Sequence, residues 1–224
     1  MPETHAFKVR AGWVHRLGIA LAPHSADLVL RPDCVQLNDE VLLSEEIHWI
    51  RLQIMTLVQT GVKMGTTSTL ELGGAHRSLR FSLHDMLYSR VRTSTFSEIW
   101  SVVYRFYGSR IIREMLDILA AGGSFSVGKV RFRPEGLEVP KKLLFISGDL
   151  QLVPWPSVRC QTYRGDVQIK ASDDRSLRAS ESLWKTRNAC FIEPLVDFVR
   201  GMSRRAARPG PTLRESVLKS RASM

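Results

Sequence analysis

The sequence has little of what marks the simpler function classes. It has three cysteines, Cys34, Cys160 and Cys190, far apart along the chain. An odd, unclustered set does not build a disulfide framework and fits a reducing compartment. Uninterrupted apolar runs are short of the roughly 18 residues that a membrane-spanning helix needs. The patch Leu17–Ala22 is too brief for a secretory signal. The expected location is therefore cytoplasmic, with peripheral attachment to a membrane as a variant. The six histidines show no metal-ligand spacing, so no metal is expected. There is no G-x-S-x-G elbow, and strands and helices do not alternate as in an α/β hydrolase. The paired carboxylates Glu45-Glu46 and Asp173-Asp174 fall in turn-like stretches, where solvated acids are the rule. No cofactor and no catalytic residue follow from these patterns, and the chain reads as a non-enzyme.

Acidic residues are also scarce: 22 against 32 Lys and Arg, for a formal charge of +10 over 224 residues. Such an excess favours anionic partners, whether nucleic acid, anionic lipid or acidic protein. Part of it sits at the end. The segment 203–224, SRRAARPGPTLRESVLKSRASM, has six basic residues and a single Glu. It also holds Pro209-Gly210-Pro211 and little to bury, and is expected to be a disordered basic tail.

What the chain does have is periodicity. TFSEIWSVVYRFYGSRIIREMLDILAA, Thr95–Ala121, places Ile99, Val103, Phe106, Tyr107, Ile111, Met115, Ile118 and Leu119 at three- and four-residue steps. That is one apolar helix stripe. Thr95 and Glu98 have capping-box spacing, Gly122-Gly123 stop the helix, and Gly108 is its weak point.

Two similar halves flank the end of this helix. LVLRPDCVQL (28–37) resembles VRFRPEGLEV (130–139). Each reads as strand, tight turn, strand, with Gly136 suited to positive φ. Trp49-Ile50-Arg51-Leu52 resembles Trp155-Pro156-Ser157-Val158. Arg77-Ser78-Leu79-Arg80 returns letter for letter as Arg175-Ser176-Leu177-Arg178. Each half then ends in a helical pattern, the second around Cys190–Met202 with Pro194 in its first turn. Four matches in one order, about 100 residues apart, point to a duplicated domain. Turn signals at Gly73-Gly74, Ser147-Gly148-Asp149 and Arg164-Gly165-Asp166 divide the strands into antiparallel meanders. The expected class is α+β, in three parts: 1–121 as a first unit, 122–202 as a second, and the tail 203–224.

This layout resembles the pleckstrin-homology (PH)-like fold. There a strongly bent antiparallel sheet forms a partly open barrel and a C-terminal helix plugs one end. The closest resemblance is to bacterial PH-like proteins of unassigned function. Leu116–Gly123, Val127-Gly128-Lys129-Val130, Glu135-Gly136-Leu137 and Val153-Pro154-Trp155 carry it. It implies a tandem of two PH-like units and no transferable catalytic residues.

Two stretches invite a site. Gly123-Ser-Phe-Ser-Val-Gly128-Lys129 has the spacing of a phosphate-binding P-loop. Val130 stands where that loop needs Ser or Thr, and the helix precedes rather than follows, so a helix stop and a strand are expected instead. Lys129, Arg131 and Arg133 alternate with Val130 and Phe132 and would share one strand face, with Lys141 and Lys142 beyond the next turn. These five form the sequence candidate for anion binding, and a solvated outer face is the plainer reading. Trp49 and Trp155 are expected in the core rather than as a platform for bases. The resulting expectation is an interaction module for a protein partner or an anionic surface, with charge-driven nucleic-acid binding as the alternative.

Overall fold

A computed structural model describes residues 3–11, 24–59, 62–86, 92–143 and 146–206. The fold is α+β, with antiparallel strand pairing throughout the described residues. The chain divides into two compact units, Met1–Ile111 and Ile112–Met224. The division falls inside the long helix, ten residues before the sequence-based boundary at 121.

The first unit opens with β1 (His5–Ala11), β2 (His24–Leu30), β3 (Cys34–Leu37) and β4 (Glu40–Leu43). A short 3-10 turn, Ser44–Glu46, leads to β5 (Trp49–Gln59), β6 (Val62–Gly73) and β7 (Ser78–Met86). The seven strands run in the order β4-β3-β2-β1-β7-β6-β5. Among the described residues, the four-stranded and three-stranded meanders join where Arg10 faces Ser82 and Ala11 faces Phe81. Alternation along each strand puts Leu28, Leu30, Val35, Ile50, Leu70, Leu72 and Phe81 inside.

The helix begins at Arg92, three residues before Thr95, so the Thr95–Glu98 pair does not form its cap. It runs as α1 (Arg92–Val103), a π turn over Tyr104–Gly108, and α2 (Ser109–Ala120). The π turn has a reason in the sequence. Ile99, Val103, Tyr107 and Ile111 are spaced by four, which drifts around a helix of 3.6 residues per turn, and a wider turn takes up that drift. All four are buried. Ile118, assigned to the same stripe by spacing, is instead 41% exposed, and Val102 and Leu116 are buried in addition. Tyr107 fastens the helix to its unit, donating to the carbonyls of Arg31 (2.6 Å) and Cys34 (2.8 Å) at the β2–β3 turn. Arg110 adds contacts to the Ser44 and Ile47 carbonyls. Gly122 and Gly123 then donate back to Leu119 and Ile118, a left-handed helix stop.

The second unit repeats the plan. Its strands are β8 (Phe125–Val127), β9 (Val130–Arg133), β10 (Gly136–Leu143) and β11 (Ile146–Pro154), then β12 (Val158–Tyr163), β13 (Asp166–Ala171) and β14 (Arg178–Ser182). They form a four-stranded sheet, β11-β10-β9-β8, and a three-stranded one, β12-β13-β14. The 3-10 turn Trp155–Ser157 lies between them, as Ser44–Glu46 does in the first unit. The terminal helix α3 (Ile192–Ala206) packs on this turn and on β12. It extends into the first residues assigned by sequence to the tail; 207–224 lie outside the described residues.

The repeat holds at the level of cross-strand rows. Leu28–Leu37 and Val130–Val139 are both hairpins, β2–β3 and β9–β10. The shared Arg-Ser-Leu-Arg leads into the last strand each time, β7 from Ser78 and β14 from Arg178. Ile50, Leu72 and Leu79 form one buried row, and Val158, Ala171 and Leu177 form its counterpart. That alignment separates the two tryptophans. Trp49 starts β5, whereas Trp155 opens the turn before β12, two residues out of step with it. Both are buried, and each indole N–H donates to a turn carbonyl, Gly74 (3.0 Å) and Pro134 (2.9 Å). Gly136 is not left-handed. It is needed because a Cβ there would stand 2.2 Å from the Val153 carbonyl oxygen.

Candidate anion-binding face

The first candidate row is the one read from β9. Val130 and Phe132 are fully buried and Arg131 is exposed, as alternation requires. Lys129 sits in the β8–β9 turn rather than in the strand. Glu138 of β10 faces Arg131 across the ladder. Its carboxylate lies 3.6 Å from Arg131 Nη1 and 2.7 Å from Arg133 Nε, the latter an ion pair without a straight hydrogen bond. Two of the three cations are thus answered from within the sheet. Lys141 is half-buried, and the Lys142 side chain lies outside the described residues.

The P-loop-like stretch is also spoken for. It comprises the helix stop at Gly123, β8, and the turn at Gly128-Lys129. The Lys129 amide donates to Glu181 Oε1 at 2.8 Å, and Thr186 Oγ1 donates to Glu181 Oε2 at 2.9 Å. Glu181 is buried. The anion held at this turn is the protein's own carboxylate.

A different face carries open positive charge. In β12–β14 the apolar positions Val158, Val167, Ile169, Ala171 and Ala179 turn inward. The alternate positions Arg159, Gln161, Gln168, Lys170, Arg178 and Ser180 turn outward and are exposed. Register sets them in rows: Arg159 opposite Lys170 opposite Arg178, then Gln161 opposite Gln168 opposite Ser180. Neighbouring strands are about 4.8 Å apart, so three cations cross the sheet within about 10 Å. With Arg175 and Ser172 they line an open depression of about 860 Å³.

Arg159 donates to the carbonyls of Pro156 (2.9 Å) and Val158 (3.2 Å). Lys170, Arg175 and Arg178 have no carboxylate partner among the described residues. Two of the nearby acids are engaged elsewhere, Asp174 accepting from the Ser176 amide and hydroxyl and Asp166 from the Ser180 hydroxyl, and Asp173 is exposed in the turn. Like charges placed directly opposite destabilise a sheet, by up to about 1 kcal/mol per pair.

The first unit shows what usually balances such a row. The equivalent positions are Arg51, Glu71 and Arg80, in the same register one step from the buried leucine row. Glu71 Oε2 lies 3.5 Å from Arg51 Nη1. Where the first unit has Arg–Glu–Arg, the second has Arg–Lys–Arg.

Sequence reading missed Arg159, Lys170, Arg175 and Arg178 as a group. The signal was there: the shared Arg-Ser-Leu-Arg fixes Arg178 against Arg80. The strands that complete the row, IRLQ and VRCQ, were set two residues out of step by the tryptophan match.

No helix among the described residues is long and apolar enough to cross a membrane, and no His, Cys, Asp or Glu cluster among them could hold a metal. A scan against protein-family models finds no match, and no curated protein sequence matches the chain.

Proposed function

We propose that the chain is a non-enzymatic interaction module, a tandem of two PH-like units, and that its second unit engages an anionic partner. Four strands, then three, then a helix, twice over, support the PH-like reading. The observation that carries the binding role is the Arg159–Lys170–Arg178 row, outward-facing and unanswered by carboxylate. Among the described residues, those that line the depression include no carboxylate, imidazole or thiol, the commonest groups for acid–base and nucleophilic work.

The test is a binding series with the full chain against phosphatidylserine vesicles, neutral phosphatidylcholine vesicles, polyglutamate and duplex DNA, across salt. Binding to anionic vesicles or polyglutamate, absent with neutral vesicles and reduced in Arg159→Ala/Arg178→Ala, supports the reading. Binding to DNA alone, lost steeply with salt, favours the charge-driven nucleic-acid alternative. Binding to none of the anions removes the reading.

A further inference from the structure

We infer that the outer face of β12–β14 takes a compact phosphate-bearing ligand, held between Arg159, Lys170 and Arg178 with Arg175 at the rim. This deepens the anionic-partner reading and rests on it.

The argument begins from the comparison inside the molecule. In the first unit a carboxylate stands between two arginines and pairs with Arg51, so the charge of the row is partly balanced from within. In the second unit the middle position has changed sign. The row keeps both arginines and adds a third positive charge where the balancing negative one stood. Replacing Glu by Lys at the centre changes the local charge by two units. A single carboxylate would therefore not balance the second row; a group with two or more negative charges would. A phosphate monoester carries about −1.5 to −2 at neutral pH, and an oligophosphate carries more. Arginine guanidinium groups meet phosphate oxygens in pairs, and a lysine between them adds a point charge.

The neutral lining fits the same ligand. Gln168 and Ser172 line the depression and supply an amide and a hydroxyl that can donate to phosphate oxygens. Among the described residues, no aromatic side chain lines it. A site for exposed bases would be expected to offer stacking rings. The chemistry selects the phosphate rather than a base.

Two sources share that chemistry, a soluble oligophosphate and a phosphomonoester lipid headgroup, and the experiment separates them. The full chain is titrated with inorganic tripolyphosphate by calorimetry at low salt. In parallel it is sedimented with phosphatidylcholine vesicles containing either phosphatidic acid or phosphatidylserine. Lys170→Glu restores the Arg–Glu–Arg row of the first unit and is the informative variant. Because that row already exists in a folded sheet, the variant is expected to fold, which its circular dichroism and melting would verify. Arg131→Ala removes a cation that Glu138 already answers and serves as the charge-loss control.

Lys170→Glu is expected to weaken tripolyphosphate binding at least about tenfold, whereas Arg131→Ala changes it little. The same pattern with phosphatidic acid vesicles in place of tripolyphosphate assigns the lipid source and equally supports the inference. Lys170→Glu removes two units of charge and Arg131→Ala one, so losses in that proportion, about tenfold against about threefold, mean diffuse charge attraction and overturn it. Absence of both phosphate ligands while phosphatidylserine or polyglutamate still binds overturns it too, and leaves the wider anionic-partner reading in place. Loss of every anion removes both.

Discussion

Glu71 in the first unit and Lys170 in the second occupy the same position: each is the middle residue of a three-strand row with an arginine on either side. The row before each is buried and apolar, and the next row on the same face is Gln53–Thr69–Ser82 in one unit and Gln161–Gln168–Ser180 in the other. Exposure differs: Thr69 is buried and Glu71 half-buried, where Gln168 and Lys170 are exposed. Against that likeness, the reversal of charge at the centre stands out. It replaces a row that holds an Arg51–Glu71 ion pair with one of three cations.

A stability difference of opposite sign follows from this relationship. Lys170→Glu should raise the thermal midpoint in the absence of ligand, by about 1 kcal/mol or about 4 °C. Glu71→Lys should lower it by at least as much, since Glu71 also accepts from the Ser78 hydroxyl at 3.0 Å. Scanning calorimetry of the two variants checks both directions. Shifts of the same sign would mean that charge in these rows is too well screened to matter.

The long helix should behave as part of the first unit's core. Tyr107→Phe keeps the ring and removes the hydroxyl that serves the Arg31 and Cys34 carbonyls. Leaving those acceptors short of a donor costs about 1–3 kcal/mol. Ile111→Asp puts a carboxylate into a site 2% exposed and should unfold the unit, a loss of about 4 kcal/mol or more. Urea unfolding followed by circular dichroism measures the first. Soluble Ile111→Asp protein with normal melting would contradict the second.

The two left-handed glycines near the unit boundary should not be equally sensitive. Gly122 (φ 82°) has open space where a Cβ would go, so Gly122→Ala should cost only the conformational term, about 1 kcal/mol. Gly128 (φ 60°) would place a Cβ 1.9 Å from Glu181 Oε2. Gly128→Ala should therefore cost about 2 kcal/mol more, since it must also displace a buried carboxylate from the Lys129 amide. Equal losses in a denaturant series would show that Glu181 is not anchored at this turn.

How far could this be read in advance? The α+β class, the hairpins β2–β3 and β9–β10, and the closing helices were legible because alternation and turn residues are local signals. The Arg-Ser-Leu-Arg repeat was legible too, and it marks equivalent strands. Three things were not. The tryptophans match in letters and differ in place, because each answers a local turn carbonyl. Glu138 neutralises Arg131 and Arg133 from the next strand, and only register reveals that. The open row needs three strands in alignment, so Arg159, Lys170 and Arg178 look unremarkable singly. The π turn was visible only as a strict four-residue spacing around Gly108.

The thiols should react slowly in the folded protein. Burial pushes Cys160 and Cys190 up to about 12, with Glu193 adding to the effect at Cys160, and it raises Cys34 as well. The attacking species is the thiolate, so labelling with a disulfide reagent at mild alkaline pH should be slow until denaturant is added. The linkage has a sign. A thiol whose folded pKa is raised contributes stability below its unfolded value, and that contribution fades as pH climbs toward the folded one. Cys160→Ser should thus flatten the alkaline loss of stability; unchanged alkaline limbs and fast labelling of native protein would contradict this.

The acid limb has a named contributor in Glu46. Its carboxylate pairs with Arg77, the first residue of the repeated tetrapeptide, and accepts from the Leu43 amide at 2.9 Å. The Arg77 hydrogen bond, then the Leu43 amide, hold the Glu46 carboxyl below the usual carboxylate range. A depressed folded pKa stabilises the fold above the ordinary glutamate value of about 4.3 and ceases to do so as pH falls through the lower, folded value. Glu46→Gln should therefore leave the protein less stable near neutral pH. It should also narrow the fall in stability as pH drops through the ordinary glutamate range and below it, because the group that takes up the proton on unfolding is gone. Arg77→Ala should narrow the same window by less, since the Leu43 amide still holds the Glu46 carboxylate. Urea midpoints measured at steps across that range test the point: parallel acid limbs in wild type and both variants would show that this pair does not couple protonation to folding.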